Sequence, residues 1–108
     1  MVLNADIEQE VLDVAERLKN KISVQKIILF GSYAYGTPNS DSDIDLCIIT
    51  SENRRKIEII RDIQEVIYQN VKHDIDILVY RPEEFLDRAD SVTTIEKTIA
   101  NKGIVVYG

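Results

Sequence analysis

The sequence predicts an α/β chain of the α+β kind, with elements in the order α-β-α-β-α-β-α-α-β. Three observations carry this. Apolar residues recur at helical spacing in two long stretches, Ile7-Val11-Val14-Leu18 and Ile57-Ile60-Ile63-Ile67. Between and after them lie short runs rich in β-branched residues, two of them halted by Gly31 and by Arg81-Pro82. The two patterns alternate along the chain, and no stretch of linker composition separates them.

In order, the first helix runs from about Asn4 to Asn20, with Asp6 as candidate N-cap. Val24 to Phe30 is a mostly buried strand, and Gly31 to Gly36 a tight turn opening a short helix. Thr37-Pro38-Asn39-Ser40-Asp41 has the chemistry of a loop. In the second strand, Asp43 to Thr50, Ile44, Leu46 and Ile48 point one way and Asp43, Asp45 and Cys47 the other. A helix from about Asn53 to Asn70 follows, then a third strand from Asp74 to Tyr80. Pro82 suits the first turn of a short helix over Glu83 to Arg88. Ser91 is placed to cap a further helix through about Ala100, with Gly103 just past its end, and residues 104–107 form a last extended piece.

A chain of 108 residues is the size of one small domain, with room for a core but little for an enclosed substrate pocket. An open site is expected, completed in some cases by a second chain. The formal net charge of -6 argues against wrapping a nucleic-acid backbone, which needs a basic stripe. The one basic cluster, Arg54-Arg55-Lys56, is flanked by Glu52 and Glu58 and reads as a solvated helix start. No apolar run is long enough to cross a bilayer, and Met1 to Asp6 lacks the basic region and apolar core of a signal peptide. Cys47 is the only cysteine, so no internal disulfide forms. These features fit a cytoplasmic protein.

The chemistry concentrates in Gly31-Ser32-Tyr33-Ala34-Tyr35-Gly36 and the following Ser42-Asp43-Ile44-Asp45-Leu46. Gly31 lets the backbone approach a phosphate, and Ser32 offers a hydroxyl and an amide at a helix start. Glycine after a strand also simply makes turns, so this pair alone is a weak signal. Asp43 and Asp45, two apart on a strand, project from one face at roughly 7 Å. Carboxylates so placed suit hard cations such as magnesium, although a solvated edge would carry them equally well. Asp76, an acid inside the apolar run Ile75-Asp76-Ile77-Leu78-Val79, is the third candidate. Asp74 shares its face and is the rival, at the strand entrance where an exposed acid is ordinary. Asp41, Asp43, Asp45 and Glu52 also match acidic positions of a calcium-binding EF-hand loop, but the sharp-turn glycine that loop requires is Leu46 here. Cys47 reads as a small buried thiol, His73 as a surface or capping residue, and Tyr33 and Tyr35 as packing or base-stacking residues.

Phe30-Gly31-Ser32, ten residues, then Asp43-Ile44-Asp45-Leu46 resembles the signature of the DNA polymerase beta-like nucleotidyltransferase superfamily. The resemblance is closest to its minimal nucleotidyltransferase (MNT) branch, small domains often encoded beside a HEPN-domain protein. Asp76 before Ile77-Leu78-Val79 sits where that family carries its third carboxylate, and Lys102 to Tyr107 is similar to its C-terminal strand. The resemblance implies one nucleotidyltransferase domain over residues 1–108, a mixed β-sheet with helices packed against it. It implies ATP as substrate and two Mg2+ ions held by Asp43, Asp45 and Asp76, the catalytic trio, with Gly31 and Ser32 binding the nucleotide. It implies AMP transfer to an acceptor, a tyrosine of a HEPN-type toxin partner, by an antitoxin that forms homo- or hetero-oligomers. Many members carry Arg where this chain has Tyr35, which leaves a second reading: a nucleotide-binding module that acts by complex formation.

Overall fold

The computed structural model describes residues 5–36, 43–70, 73–90 and 94–108. The elements are α1 (Ala5–Lys21), β1 (Val24–Phe30), α2 (Ser32–Tyr35), β2 (Ile44–Thr50), α3 (Lys56–Asn70), β3 (Ile75–Tyr80), α4 (Pro82–Ala89), α5 (Ile95–Lys102) and β4 (Ile104–Tyr107). The order matches the one expected from periodicity. The strands form one mixed sheet, β3-β2-β1-β4, in which β1 is antiparallel to β2 and β4, and β2 is parallel to β3. A parallel pair needs a long crossover, and α3 supplies it.

The sheet is covered on both sides, which is why its central strands read as nearly unbroken apolar runs. One face carries Ile27, Leu29, Ile44, Leu46 and Ile48 and packs on α1 through Val11, Val14 and Leu18 and on α3 through Ile59 and Ile63. The opposite face carries Ile28, Phe30, Cys47, Ile49 and Tyr80 and packs on Phe85 of α4 and Ile99 of α5. Alternation along β2 therefore splits its side chains between two cores, and Asp43 and Asp45 belong by parity to the Cys47 face. Cys47 is fully buried, and burial, then the charge of Glu96, pushes its thiol to about 12. It is a packing residue, inert as a nucleophile or ligand.

Several expected boundaries shift, each for a local reason. Asp6 is not an N-cap: α1 already begins at Ala5, and Asp6 lies in its first turn, where a carboxylate still meets the positive end of the helix dipole. α3 begins at Lys56 rather than Asn53. Residues 51–55 commit their polar groups elsewhere: the Ser23 N–H donates to Glu52 Oε1, the Glu52 N–H donates to Thr50 Oγ1, and Arg54 binds Glu52 and Asp62. The helix ladder opens only at the Arg55 carbonyl, which accepts from Glu58 and Ile59. Ile57 is consequently exposed, and Ile59 takes the core position assigned to it. Ser91 lies outside the described residues; the cap of α5 is Thr94, whose Oγ1 accepts the Lys97 N–H at 3.2 Å. The loop expected over Thr37 to Asp41 also lies outside the described residues. The EF-hand alternative fails because Ile44 to Thr50 is strand, so Leu46 to Ile49 cannot coil around an ion.

Under α4 and α5 the buried pair Tyr80 and Glu96, met by the exposed Arg88, closes the second core. Tyr80 Oη donates to Glu96 Oε1 at 3.1 Å, and Arg88 Nη1 lies 3.5 Å from the same carboxylate. Burial, then the Glu96 hydrogen bond and charge, raises the Tyr80 phenol to about 12. Tyr80→Phe removes the only phenolic donor to a buried carboxylate. It should lower stability by about 1–3 kcal/mol, read as a reduced urea midpoint at unchanged slope. An unshifted midpoint would mean that Arg88 alone satisfies Glu96.

Candidate active site

Three loops and strand ends meet at one end of the sheet. β1 ends at Phe30 and turns at Gly31 into α2; β2 and β3 both start beside that turn. The parallel register pairs Asp45 with Asp76, and the antiparallel register pairs Asp45 with Phe30, the residue before the turn. Asp76 therefore stands beside the Asp43–Asp45 strand, as its position in the third strand allowed. Asp43 and Asp76 are close enough for their carboxyl groups to share a hydrogen bond.

The crowding of acids is visible in their titration. Partial loss of water, then the charges of Asp76 and Asp74, holds the Asp43 carboxyl above the ordinary carboxylate value. Asp43 is exposed, so the neighbouring acids are the part of that shift that matters for chemistry. Burial, then Asp76 and Asp43, does the same for the half-buried Asp45. Among the described residues no Lys, Arg or His pairs with Asp43, Asp45 or Asp76. Asp74, the rival, adds its charge to Asp43, while its main chain accepts the Ile44 N–H at 3.0 Å and so helps fix the β2–β3 register.

Gly31 is the hinge of the turn. Its φ of 77° lies in the left-handed region, and a Cβ there would strike Asp45 Oδ2. The Asp45 carboxylate thus lies over the bare face of Gly31, a close approach only glycine permits. The Gly31 carbonyl accepts the N–H groups of Ala34 and Tyr35, closing α2. The leading N–H groups of α2, on Ser32 and Tyr33, have no partner within the helix and face outward from its start. Tyr33 packs partly against the main core, whereas Tyr35 is exposed.

Whether these residues suit magnesium is a question of donor chemistry. The donors are all carboxylate oxygens, the ligand type magnesium selects, and their mutual repulsion is what a bound cation relieves. Among the described residues, no group of three or more His, Cys, Asp or Glu side chains is arranged to hold a metal ion as it stands. Asp45 lies over Gly31, and Asp43 and Asp76 are within hydrogen-bond reach of one another. Magnesium keeps waters and substrate phosphates in most of its positions, so an open trio that tightens by side-chain rotation fits it better than a closed cage would.

A family model described as a nucleotidyltransferase domain matches residues 11–106. The chain belongs to the nucleotidyltransferase domain family. Solved structures share the fold of this nucleotidyltransferase. One is a toxin–antitoxin crystallised with AMP-PNP, 23% identical, TM-score 0.60, with 94% of this chain and 73% of that chain covered. Another is a tri-AMPylated Shewanella oneidensis HEPN toxin in complex with MNT antitoxin, 19% identical, TM-score 0.57, with 94% and 72% covered. No curated protein matches the chain. Among the described residues, no helix of the nucleotidyltransferase is long and apolar enough to cross a membrane.

Beside the trio, at the outer edge of β3, the nucleotidyltransferase has a cavity of about 620 Å³. Asp43, Asp74 and Asp76 line one end, and Gln64 and Tyr68 of α3 line another part of its wall. Neither α3 residue stands out in the sequence. The usable signal is their i,i+4 spacing, which places both on one side of a helix whose core face is Ile59, Ile63 and Ile67.

The electrostatics predict an inverse relation between stability and site charge in the metal-free protein. The Asp45 pKa is raised on folding, so its charge weighs against the folded state above that value, and the penalty lifts as pH falls through it. Asp45→Asn should therefore melt a few degrees above the wild type in EDTA at neutral pH, and the gap should close on acidification. Glu52 and Glu84 carry lowered values, from a Ser23 backbone hydrogen bond and a Lys56 hydrogen bond respectively. They lose stability as pH falls, but equally in both proteins, so the difference in melting temperature isolates Asp45. A gap that widens toward acid pH would contradict the assignment.

Proposed function

We propose that this domain is a magnesium-dependent nucleotidyltransferase that binds ATP and moves AMP onto a tyrosine hydroxyl of a HEPN-type partner protein, acting as the antitoxin of a toxin–antitoxin pair. One observation carries the reading: the β2–β3 register sets Asp76 beside Asp45, with Asp43 adjoining, next to the Gly31–Ser32 turn. The likeness to a complex holding AMP-PNP and to one holding an AMPylated HEPN toxin supports the choice of nucleotide and partner. The site faces solvent and binds a nucleotide that brings its own cations, so a net charge of -6 is no obstacle. The reading places the protein in the cytoplasm, makes residues 1–108 one domain, and requires no nucleic acid.

Asp43 and Asp45 would hold both magnesium ions, and Asp76 would join them in holding the one near the acceptor. When bound, two magnesium ions supply charge neutralisation at the attacking and leaving oxygens and lower the pKa of the acceptor hydroxyl. The chain does the positioning. Gly31 lets the α-phosphate approach the backbone, and Ser32 offers its N–H and hydroxyl to the phosphate oxygens. The acceptor oxygen forms its bond to the α-phosphorus as the bridging bond to the β-phosphate breaks. Pyrophosphate leaves with that electron pair, and the hydroxyl proton passes to a carboxylate oxygen of Asp76.

The test is incubation of the purified chain with ATP labelled at the α-phosphate, magnesium and the protein encoded by the adjacent reading frame. Label on that protein, lost with EDTA, is the expected result. A stable complex without label would instead favour a binding module, the reading that Tyr35 leaves open by putting no cation where many relatives carry Arg.

A further inference from the structure

The cavity at the edge of β3 opens directly off the carboxylate trio, yet lies on the flank away from Gly31 and Ser32. Across the sheet the order is β1, β2, β3, so the phosphate-side turn follows β1, Asp45 is central, and the cavity lies beyond Asp76. A triphosphate held at the turn leaves the cavity free, and whatever fills it meets Asp76 first. Among the described residues β3 pairs with β2 alone, so its other edge is open. The Ile44 N–H donates to the Asp74 carbonyl, which turns the main chain of Asp74 inward; alternation then turns the N–H and C=O groups of Ile75 and Ile77 outward. Both residues line the cavity.

Its side chains add charge and an anchor. Asp43, Asp74 and Asp76 line it together with His73, whose Nδ1 lies 2.9 Å from Glu10 Oε2, and no Lys or Arg is among the described residues that do. Tyr68, 83% exposed, offers a large amphipathic ring at the rim, with Gln64 one turn before it. With Asp43 and Asp76 assigned to magnesium, Asp74 is the lining carboxylate left to attract a cationic side chain. An open strand edge inside the cavity offers the hydrogen-bonding pattern that an extended peptide completes.

We propose that this cavity is the acceptor site: an extended polypeptide adds to the β3 edge at Ile75 and Ile77, its flanking residues are basic, and Tyr68 and Gln64 position it. The proposal rests on the transfer reading. The hydroxyl so presented at Asp76 bonds to the α-phosphorus of ATP, pyrophosphate departs, and the proton goes to Asp76. Tyr68 and Gln64 are positioning residues and touch no reacting atom.

The test uses poly(Lys,Tyr), poly(Glu,Tyr) and an RNA oligonucleotide as probes, with α-labelled ATP and magnesium. Poly(Lys,Tyr) should take label at least about tenfold faster than poly(Glu,Tyr), and Tyr68→Ala should raise its KM about tenfold at unchanged KM for ATP, with Tyr68→Phe restoring it. Equal labelling of the two copolymers, label on the RNA instead, or unchanged acceptor KM in Tyr68→Ala would overturn the proposal. Asp45→Asn separates the two readings. Labelling that survives it sinks the transfer reading and this one together; no labelling of any copolymer by a wild type that does label its partner protein sinks this one alone. Labelling abolished by Asp45→Asn but indifferent to Tyr68 sinks the cavity alone.

Discussion

Asp43→Asn and Asp45→Asn are each expected to cut AMP transfer by on the order of 10³-fold, while the protein stays folded and, in EDTA, Asp45→Asn melts higher than the wild type. The size follows from what the substitution removes. Asn keeps the shape and one oxygen but loses the negative charge that, in the proposed mechanism, would hold a divalent cation against triphosphate. Asp76 is assigned to the acceptor side in the proposed mechanism, and Asp74 lies just before β3, close enough to add its charge to Asp43 but with its main chain committed to Ile44. Neither side chain supports the core: Asp43 is exposed and Asp45 only half-buried. A destabilised variant would point to a structural role for the pair. A folded variant with full transfer would end the assignment of these two acids. Steady-state transfer of labelled AMP and a thermal melt on the same preparations decide between the outcomes.

Gly31→Ala should cost nearly as much by a different route. Its φ of 77° with ψ of -161° lies in a region essentially confined to glycine and costs an alanine roughly 1–3 kcal/mol, and the added methyl would collide with Asp45 Oδ2. Asp45 is the smaller obstacle to move, so the methyl displaces the carboxylate from the position over Gly31 at which the proposed mechanism uses it. A misplacement of that order lowers turnover by roughly 100-fold. The effect should appear in kcat and in metal affinity, with a modest fall in melting temperature. Gly36 provides the control: its φ is also positive, but a Cβ there meets nothing within 4 Å. Gly36→Ala should show the backbone cost without the loss of turnover. Equal losses at both positions would mean that the turn, and not the contact with Asp45, is what matters.

Much of this arrangement is legible in the chain before folding. Ile27-Ile28-Leu29-Phe30 and Leu46-Cys47-Ile48-Ile49 are apolar at every position because helices cover both faces of the sheet, and that composition marks them as strands. Asp43 and Asp45 stand out because alternation alone puts them on one face. What the spacing does not contain is pairing. That Asp76 sits level with Asp45 is a property of a parallel register closed across α3, and no local pattern encodes it; the family resemblance supplied it. The later start of α3 has the same origin: Glu52 is recruited by Ser23, 29 residues away in sequence. Tyr68 and Gln64 are not legible in the chain because an exposed position on α3 gains meaning only when β3 leaves its edge open beside it.

The most direct test of the trio is a crystal grown with Mn2+ and a non-hydrolysable ATP analogue, read by anomalous scattering from the manganese. Two peaks are predicted, one within ligand distance of Asp43, Asp45 and the triphosphate, the other between that pair and Asp76. Manganese bound to the triphosphate alone, with Asp76 turned away from Asp43 and Asp45, would contradict it.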